Sequence, residues 1–531
     1  MTRPDTFHVY DTTLRDGAQR EGIAYSVADK LAVARLLDDY GVGFIEGGWP
    51  GALPKDTEFF ARARTELTLR HAELVAFGST RKAGVKVEED SQLRALLESQ
   101  APVITIVAKS DVRHVTEALR TSLDENLAMV TDTVRFLVAE GRRVFVDMEH
   151  FFDGYAHDPD YGVRLLTAAA EAGASVGVLC DTNGGMLPSG IGRVVTDVLA
   201  RSGVRLGIHC QDDTGCAIAN TIAAVEAGAT HAQCTANGYG ERTGNADLFV
   251  VVPNLVTKLG MDILPEGALR ETVRISHAIA EIANIAPNTH QPYAGISSFA
   301  HKAGLHASAL KVSADLYNHI DPGVVGNDMR ILVTEMAGRA SVELKARELG
   351  HDLSDEPAVL GRVVDSVKAL EASGWTFEAA DASFELLVLG ETDRGRPRYF
   401  DVESWRTIVE QREDGTVVTE ATVKVHAGGE RTIVTAEGNG PVNALDSALR
   451  QAVVLLYPEI GRLELVDYKV RILEGVTGTS AVTRVLVSTS DKDAEWTTVG
   501  VHDNVIAASW VALEDALTYG LLRAGRQSTG R

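Results

Sequence analysis

The sequence predicts an α/β fold: a (β/α)8 barrel followed by a helical subdomain and a C-terminal α+β domain. Over about the first 240 residues, eight short β-rich runs alternate with helix-like segments. One such segment, SVADKLAVARLLDDYG at 26–41, carries apolar residues at helical spacing and ends on glycine. Strands that alternate with helices pair in parallel, and eight such units close into a TIM barrel.

The predicted strands follow one another at regular spacing. In order they are FHVYDT (7–12), VGFIEGG (42–48), ELVAFG (73–78), PVITIVA (102–108), RVFVDME (143–149), SVGVLCDT (175–182), RLGIHC (205–210) and THAQCTA (230–236). An open doubly wound sheet is the alternative fold. It is disfavoured because no G-x-G-x-x-G fingerprint follows the first strand.

Three domains are predicted, with the barrel at 1–285, helical linker subdomains at 286–382 and a third domain at 383–531. The segment 335–375 is helical and charged. From about 383 strands dominate, in FELLVLG, ATVKVHAGG, RTIVTAEG, YKVRILEG, AVTRVLVSTS and EWTTVGVHD. GNGPVNALDSALRQAV at 438–453 aligns with HDNVIAASWVALEDAL at 502–517. We interpret the alignment as a duplicated strand-strand-helix unit; chance similarity between alanine-rich helices is the alternative.

Composition narrows the possible partners. The net charge of −23 argues against nucleic acid and against a membrane surface, since both attract basic proteins. We find no apolar stretch of about 18 residues and no signal peptide, so we expect a cytoplasmic protein without a membrane span. The four cysteines have neither disulfide nor zinc-finger spacing, which indicates reduced thiols.

Polar side chains cluster where the predicted strands end. In a barrel of this type the chemistry lies at the C-terminal ends of the strands, which share one face. The candidates there are Arg15 and Asp16 after strand 1, Glu46 in strand 2, Glu149 in strand 5, Asp181 in strand 6, His209 and Gln211 in and after strand 7, and Asn245 after strand 8. Any one of them could be a turn or cap residue. So many on one rim favours a functional site.

The stretch GIHCQDDTGCA at 207–217 raises the possibility of a metal. His209 and Gln211 are two residues apart, so in an extended segment they share a face. Two neutral donors on one face could hold a divalent cation. A solvated turn after a buried strand is the alternative.

Three motifs carry a family resemblance: LRDG after strand 1, H-x-Q-D-D after strand 7 and G-x-G-E-R-x-G-N after strand 8. They resemble the 2-isopropylmalate, homocitrate and citramalate synthases, metal-dependent barrels that condense acetyl-CoA with a 2-keto acid. The fuller strings DTTLRDGAQREG, FIEGGWPG, EHFFDGY and CDTNGG look most like the citramalate synthase branch. The resemblance covers nearly the whole chain.

The resemblance implies a metal site made of Asp16, His209, Gln211 and Asn245. The family pattern at strand 7 is H-x-H-N-D, and Gln211 stands in place of the second histidine. Because an amide oxygen is a harder ligand than imidazole, we expect Mg²⁺ or Mn²⁺ to be favoured, with Zn²⁺ possible. The metal would chelate the keto acid as a Lewis acid.

The resemblance also implies the catalytic groups. Arg15 would stabilise the developing alkoxide and Glu149 would take the methyl proton of acetyl-CoA, although an ion-paired strand-end carboxylate is the alternative for Glu149. His306 and Tyr317, from a segment that reaches into the active site of a partner subunit, would assist proton transfer and thioester hydrolysis. The neighbouring His301 and His319 could not be separated from His306 without the resemblance.

The expected reaction is acetyl-CoA plus pyruvate plus water giving citramalate and CoA, in isoleucine biosynthesis. The third domain would be a regulatory and dimerisation domain, with a homodimer and an isoleucine effector expected. Three alternatives stay open. The first is condensation with another 2-keto acid, as in isopropylmalate or homocitrate synthesis. The others are a retro-aldol lyase and a non-catalytic sensor barrel.

Overall fold

The computed structural model describes residues 5–334, 337–473 and 481–527. The first two residues of the predicted helical segment 335–375, the last two of YKVRILEG and residues 528–531 of the predicted third domain lie outside these ranges, as do residues 1–4. The chain divides into two compact units, Met1–Phe299 with Ile320–Asp328 and Ala300–His319 with Met329–Arg531. The division into three domains remains a prediction.

The first unit is a closed barrel of eight parallel strands in sequence order, which confirms the predicted fold class. Each strand begins and ends within two residues of its predicted bounds. The strands are β1 His8–Asp11, β2 Phe44–Gly48, β3 Glu73–Ser79, β4 Val103–Lys109, β5 Arg143–Glu149, β6 Val176–Asp181, β7 Leu206–Cys210 and β8 His231–Cys234.

Helices follow the strands around the barrel. They are α1 Val27–Tyr40, α2 Pro54–Glu66, α3 Ser91–Glu98, α4 Leu123–Ala139, α5 Phe151–His157, α6 Pro159–Glu171, α7 Pro188–Ser202, α8 Ala217–Glu226, α9 Leu248–Thr257 and α10 Thr272–Ile282. Local signals fix their starts: Ser26 and Asp29 form a capping box at α1, and prolines occupy the first turns of α2, α6 and α7.

The alternation of side chains along each strand separates two cores. In β5, Val144, Val146 and Met148 pack in the main hydrophobic cluster of the unit. Phe145 belongs instead to a small cluster of strand residues inside the barrel. Because the period is two, Asp147 and Glu149 share the interior face with Phe145. Along β5 the interior face therefore changes from the apolar Phe145 to carboxylates at the C-terminal end of the strand.

The second unit contains the remaining elements. They are β9 Ala300–His301, α11 Gly304–Leu310, β10 Arg330–Ile331, α12 Arg339–Glu348, α13 Pro357–Ala372, α14 Asp381–Glu391, β11 Phe400–Gln411, β12 Val417–Ala427, β13 Glu430–Gly438, α15 Pro441–Val453, β14 Glu464–Ile472, β15 Thr483–Ser490, β16 Glu495–His502 and α16 Val505–Arg523. β11–β13 and β14–β16 form two antiparallel three-stranded sheets.

Two details of this unit differ from the sequence prediction. FELLVLG, expected as a strand, lies in α14, where Phe384, Leu386 and Val388 are buried. A short apolar run is compatible with either state, and here burial on a helix decides it. Each repeat also has three strands before its helix instead of two, because β11 was not predicted and YKVRILEG and AVTRVLVSTS fall in one sheet.

Helix α16 is the one helix among the described residues that is long and apolar enough to cross a membrane, judged by length and composition alone. Two thirds of its most apolar window is buried in the protein. It packs on β15 and β16 through residues such as Ala508, Ala512 and Leu513. The helix therefore has the character of a core helix.

Candidate active site

Four side chains predicted as metal ligands converge at the C-terminal end of the barrel. Asp16 Oδ2 lies 3.3 Å from His209 Nε2 and 3.4 Å from Gln211 Nε2. The backbone of Gln211 forms an isolated bridge with that of Asn245, which brings the loop after β8 against the end of β7. All four residues are buried. The structure thus brings this set together as the motifs predicted, and its binding of a metal remains a prediction.

The loop NGYGERTGN holds Asn245 in place. Asn245 donates its side-chain N–H to the carbonyl of Tyr239 at 3.0 Å, which fixes the orientation of the amide. The loop depends on glycines with positive φ: a Cβ on Gly240 would lie 2.1 Å from Asn245 Nδ2, and one on Gly244 would lie 2.0 Å from the carbonyl oxygen of Gly238. Substitution at either glycine would therefore displace Asn245.

The donor set fits a divalent cation. The side-chain oxygens of Gln211 and Asn245 are buried without a hydrogen-bond partner, and an unsatisfied buried polar atom costs about 1–3 kcal/mol. Both oxygens accompany a carboxylate and an imidazole, and a cation would satisfy them. Among the described residues, His, Cys, Asp and Glu alone form no group of three that could hold a metal. The amides of Gln211 and Asn245 are therefore essential to any site here.

The electrostatics of this set favour an ionised Asp16. Burial alone raises the pKa of Asp16, but the charge of Arg15 and the hydrogen bond from His209 outweigh it and hold that pKa well below its usual range. For His209, burial lowers the pKa, whereas the hydrogen bond and charge of Asp16 raise it above its usual value. A proton on His209 and a cation thus compete for the same partner, Asp16.

Arg15 is held rigidly beside these groups. Its Nε donates to Glu46 at 2.6 Å, its Nη1 lies 3.6 Å from Asp16, and its guanidinium lies 4.0 Å from the centre of the Phe77 ring. Glu46 is fully buried and also accepts from Tyr10 and Thr12. From the sequence, Glu46 was a candidate at a strand end with no specific role predicted. In the structure it anchors Arg15.

Glu149, the predicted base, is paired with the ammonium group of Lys109. The two residues are register partners at the ends of β5 and β4, and about a quarter of each side chain is exposed. The ion-paired carboxylate, which was the alternative for Glu149, is the arrangement present in the structure. Its role as a base remains a prediction and requires Lys109 to move away.

His306 and Tyr317 lie in the second unit, where their rings stack 4.1 Å apart at 27°. Neighbouring His301 packs edge-on against His306 at 5.8 Å, and its Nε2 forms a hydrogen bond with Asn318. The structure thus brings His306 and Tyr317 together as a pair. Tyr317 is 39% exposed, and the catalytic roles of the pair remain predictions.

Two residues behind the site were missed at the sequence level. Gln233 in β8 accepts from His209 Nδ1 at 2.9 Å, and donates to Asp147 in β5 at 2.8 Å. Burial, with the nearby negative charge of Glu46, raises the pKa of Asp147 to about 7. The alternation of interior residues in each strand was the signal that could have found both.

Three family models match successive parts of the chain. Residues 6–279 match the HMGL-like family model, residues 294–374 match the homocitrate synthase post-HMGL domain-like model, and residues 378–521 match the LeuA allosteric (dimerisation) domain model. An (R)-citramalate synthase of Streptomyces coelicolor is 68% identical, and the alignment covers 98% of both chains. The chain belongs to the (R)-citramalate synthase family.

More distant relatives extend the comparison. An (R)-citramalate synthase of Aquifex aeolicus is 45% identical, with 97% of this chain and 98% of the relative covered. A probable 2-isopropylmalate synthase of Methanopyrus kandleri is 31% identical over 95% and 96% of the two chains. The family inferred from the motifs is confirmed. Identity is higher to these two citramalate synthases than to the isopropylmalate synthase.

Proposed function

We propose that this chain is a condensing transferase that joins the methyl carbon of acetyl-CoA to the keto carbon of pyruvate. Water then cleaves the thioester, so that citramalate and free CoA leave and the acetyl group has become part of an alkyl chain. The observation that carries this proposal is the convergence of Asp16, His209 and two unpartnered amide oxygens beside the cation of Arg15.

A divalent cation held by Asp16, His209, Gln211 and Asn245 would supply Lewis acidity toward a keto acid. The hard oxygen donors favour Mg²⁺ or Mn²⁺. One carboxylate in the set leaves such a site net positive, which suits the carboxylate of pyruvate. The remaining chemistry belongs to the protein side chains.

Arg15 is suited to the oxygen that becomes an alkoxide. Its Nε is engaged by Glu46 and its planar face by Phe77, so its orientation is fixed before substrate arrives. Glu149 is the proposed base. Binding of the anionic acetyl-CoA would draw Lys109 away from Glu149 and so free the carboxylate. His306 and Tyr317, contributed by a partner subunit of a homodimer, would move protons during condensation and hydrolysis.

The physiological setting is part of the proposal. Citramalate would feed isoleucine biosynthesis, and isoleucine would act as an effector through residues 378–521, where the matching family model carries the description allosteric and dimerisation domain. All four cysteines are free thiols, in keeping with a reducing cytoplasm.

The test is release of free thiol from acetyl-CoA by the purified full-length protein with Mg²⁺ or Mn²⁺. We expect thiol release with pyruvate to exceed that with 2-oxobutyrate, 2-ketoisovalerate and 2-oxoglutarate. Preference for a longer keto acid would indicate isopropylmalate or homocitrate synthesis instead. Absence of thiol release with every keto acid would leave the lyase and sensor alternatives. An assay for cleavage of a hydroxyacyl-CoA would then distinguish them, because only a lyase would cleave it.

A further inference from the structure

A line of three hydrogen-bonding side chains runs from the candidate cation site into the barrel. His209 and Gln233 are register partners in β7 and β8, so their side chains are neighbours on the interior face. His209 Nδ1 lies 2.9 Å from Gln233 Oε1, and Gln233 Nε2 lies 2.8 Å from Asp147 Oδ1. All three residues are buried, so water does not compete for these bonds.

The direction of each bond follows from the last member of the line. Asp147 Oδ1 faces the amide nitrogen of Gln233, which can only donate, so Asp147 accepts this bond. The amide oxygen of Gln233 then faces His209, and an oxygen can only accept a hydrogen bond. His209 must therefore carry its proton on Nδ1 when neutral. Its lone pair then lies on Nε2, the nitrogen that faces Asp16.

We propose that Gln233 and Asp147 are positioning residues that hold His209 with Nε2 turned toward the cation site as a ready ligand. The inference deepens the proposed function, because it rests on a cation binding beside Asp16. Outer partners of this kind orient a ligating imidazole and select its tautomer. Here the group that selects the tautomer is Asp147, two hydrogen bonds away from His209. Gln233 alone could present either its amide oxygen or its amide nitrogen to the ring.

The sharpest test exchanges the two functional groups. In Asp147→Asn, the new amide can donate to Gln233, which allows Gln233 to turn and present its N–H to His209. His209 would then shift its proton to Nε2, and Nε2 would no longer have a lone pair with which to bind the cation. In Gln233→Glu, two adjacent carboxylates repel.

The double variant Asp147→Asn/Gln233→Glu restores the direction of the hydrogen bonds and the single negative charge. Its amide at position 147 donates to the carboxylate at position 233, and that carboxylate accepts from Nδ1 of His209.

The measurement is calorimetric titration of the metal-stripped full-length protein with Mn²⁺ and with Zn²⁺. We expect each single variant to bind about 10–100-fold more weakly, with Zn²⁺ affected more than Mn²⁺ because the imidazole nitrogen matters more to zinc. The double variant should return to within about threefold of the parent protein. Imidazole ¹⁵N spectra, with His209→Gln to assign the signal, should show the Nε2–H tautomer in Asp147→Asn and the Nδ1–H tautomer in the double variant.

Asp38→Asn is the matched control. Asp38 is another buried carboxylate of the barrel unit, where it accepts from the backbone N–H groups of Arg70, His71 and Ala72 ahead of β3. Its replacement should lower the unfolding temperature without changing the Zn²⁺ to Mn²⁺ affinity ratio. General loosening of the barrel would therefore not imitate the expected result.

The outcomes separate this inference from the proposed function. Unchanged affinities and tautomer in Asp147→Asn, or losses that simply add in the double variant, would overturn the inference and leave thiol release by the parent protein intact. A parent protein that binds Mn²⁺ and responds to the variants as expected, but releases no thiol with any keto acid, would overturn only the proposed function.

Discussion

Gln211 is one of two residues, with Asp212, at which this chain departs from the family pattern H-x-H-N-D at strand 7. Its side-chain oxygen is buried without a partner, as is that of Asn245. An amide in a solvated turn would have its oxygen in water, so burial favours the ligand interpretation over the turn. The consequence can be tested at this one position.

Replacing Gln211 with alanine should weaken Mn²⁺ binding by about tenfold or more, because a contributing oxygen is removed. Asp16→Ala and His209→Ala should abolish turnover, whereas Gln211→His should retain activity and raise the affinity for Zn²⁺. Calorimetric metal titration and thiol release measure both effects. Gln19→Ala, at an exposed position of the segment after β1 that also carries Asp16, is the control. Unchanged metal affinity in Gln211→Ala would remove Gln211 from the site.

Arg15→Lys should lower the rate about 10²–10³-fold, the usual cost of one oxyanion donor. An ammonium group cannot hold the Glu46 carboxylate and present a planar fork to substrate at the same time. Steady-state thiol release gives the rate, and circular dichroism reports the fold. The exchange Arg62→Lys, at a partly exposed arginine of α2, should leave the rate unchanged. Activity of Arg15→Lys within threefold of the parent would exclude Arg15 from the mechanism.

At the scale of elements, the barrel strands were predictable because each is a buried apolar run followed by an amphipathic helix. The prediction of a strand at FELLVLG was wrong because so short an apolar run suits a strand or a helix equally. Only the packing around Phe384 and Val388 makes it part of α14. Gln233 and Asp147 were missed for a different reason. The role of each depends on the residue that lies opposite it, His209 of β7 for Gln233 and Gln233 of β8 for Asp147. That strand register is set by the closed sheet and not by the local sequence.

The N-terminal end of the barrel carries a pair of buried histidines on β1 and β8. His8 Nδ1 lies 3.1 Å from His231 Nδ1, and the other ring nitrogen of His8 contacts Asp5. Burial lowers the pKa of His8 to about 4 despite that contact, and burial lowers the pKa of His231 well below its usual value. Both rings are therefore neutral in the folded protein near pH 7.

This pair should make the barrel sensitive to acid. Between pH about 6.5 and 4 the unfolded chain binds a proton on residue 8 that the folded chain does not, so stability is present above that window and falls as pH falls through it. The loss from His8 alone is about 3 kcal/mol. Urea unfolding at pH 7, 5.5 and 4.5 measures it.

His8→Gln should flatten the dependence of stability on pH by about one proton, because glutamine does not titrate. His71→Gln, at an exposed histidine ahead of β3, is the control and should leave the dependence unchanged. An equally steep dependence in His8→Gln would mean that other groups govern acid unfolding.

At the scale of the whole molecule, the second unit has a repeated architecture. α15 packs on β12 and β13, and α16 packs on β15 and β16. Each repeat thus buries a helix rich in alanine against one face of its sheet, which supports duplication over chance similarity. α14 joins the two parts of the unit, since Phe384 packs with α12 and α13 while Leu386 packs in the cluster of α15.

The repeated module should bind isoleucine and hold a homodimer. If isoleucine acts on substrate affinity, then pyruvate and acetyl-CoA must weaken isoleucine binding by the same factor, because coupling between two sites is reciprocal. Thiol release with and without isoleucine, titration of isoleucine with and without pyruvate, and light scattering measure these effects on the full chain. Truncation after Thr392 keeps α14 and its Phe384 and Val388 side chains, and should remove isoleucine sensitivity. A truncated enzyme that keeps full sensitivity would place the effector site elsewhere, and a full-length enzyme indifferent to isoleucine, leucine and valine would leave the module with the dimer role alone.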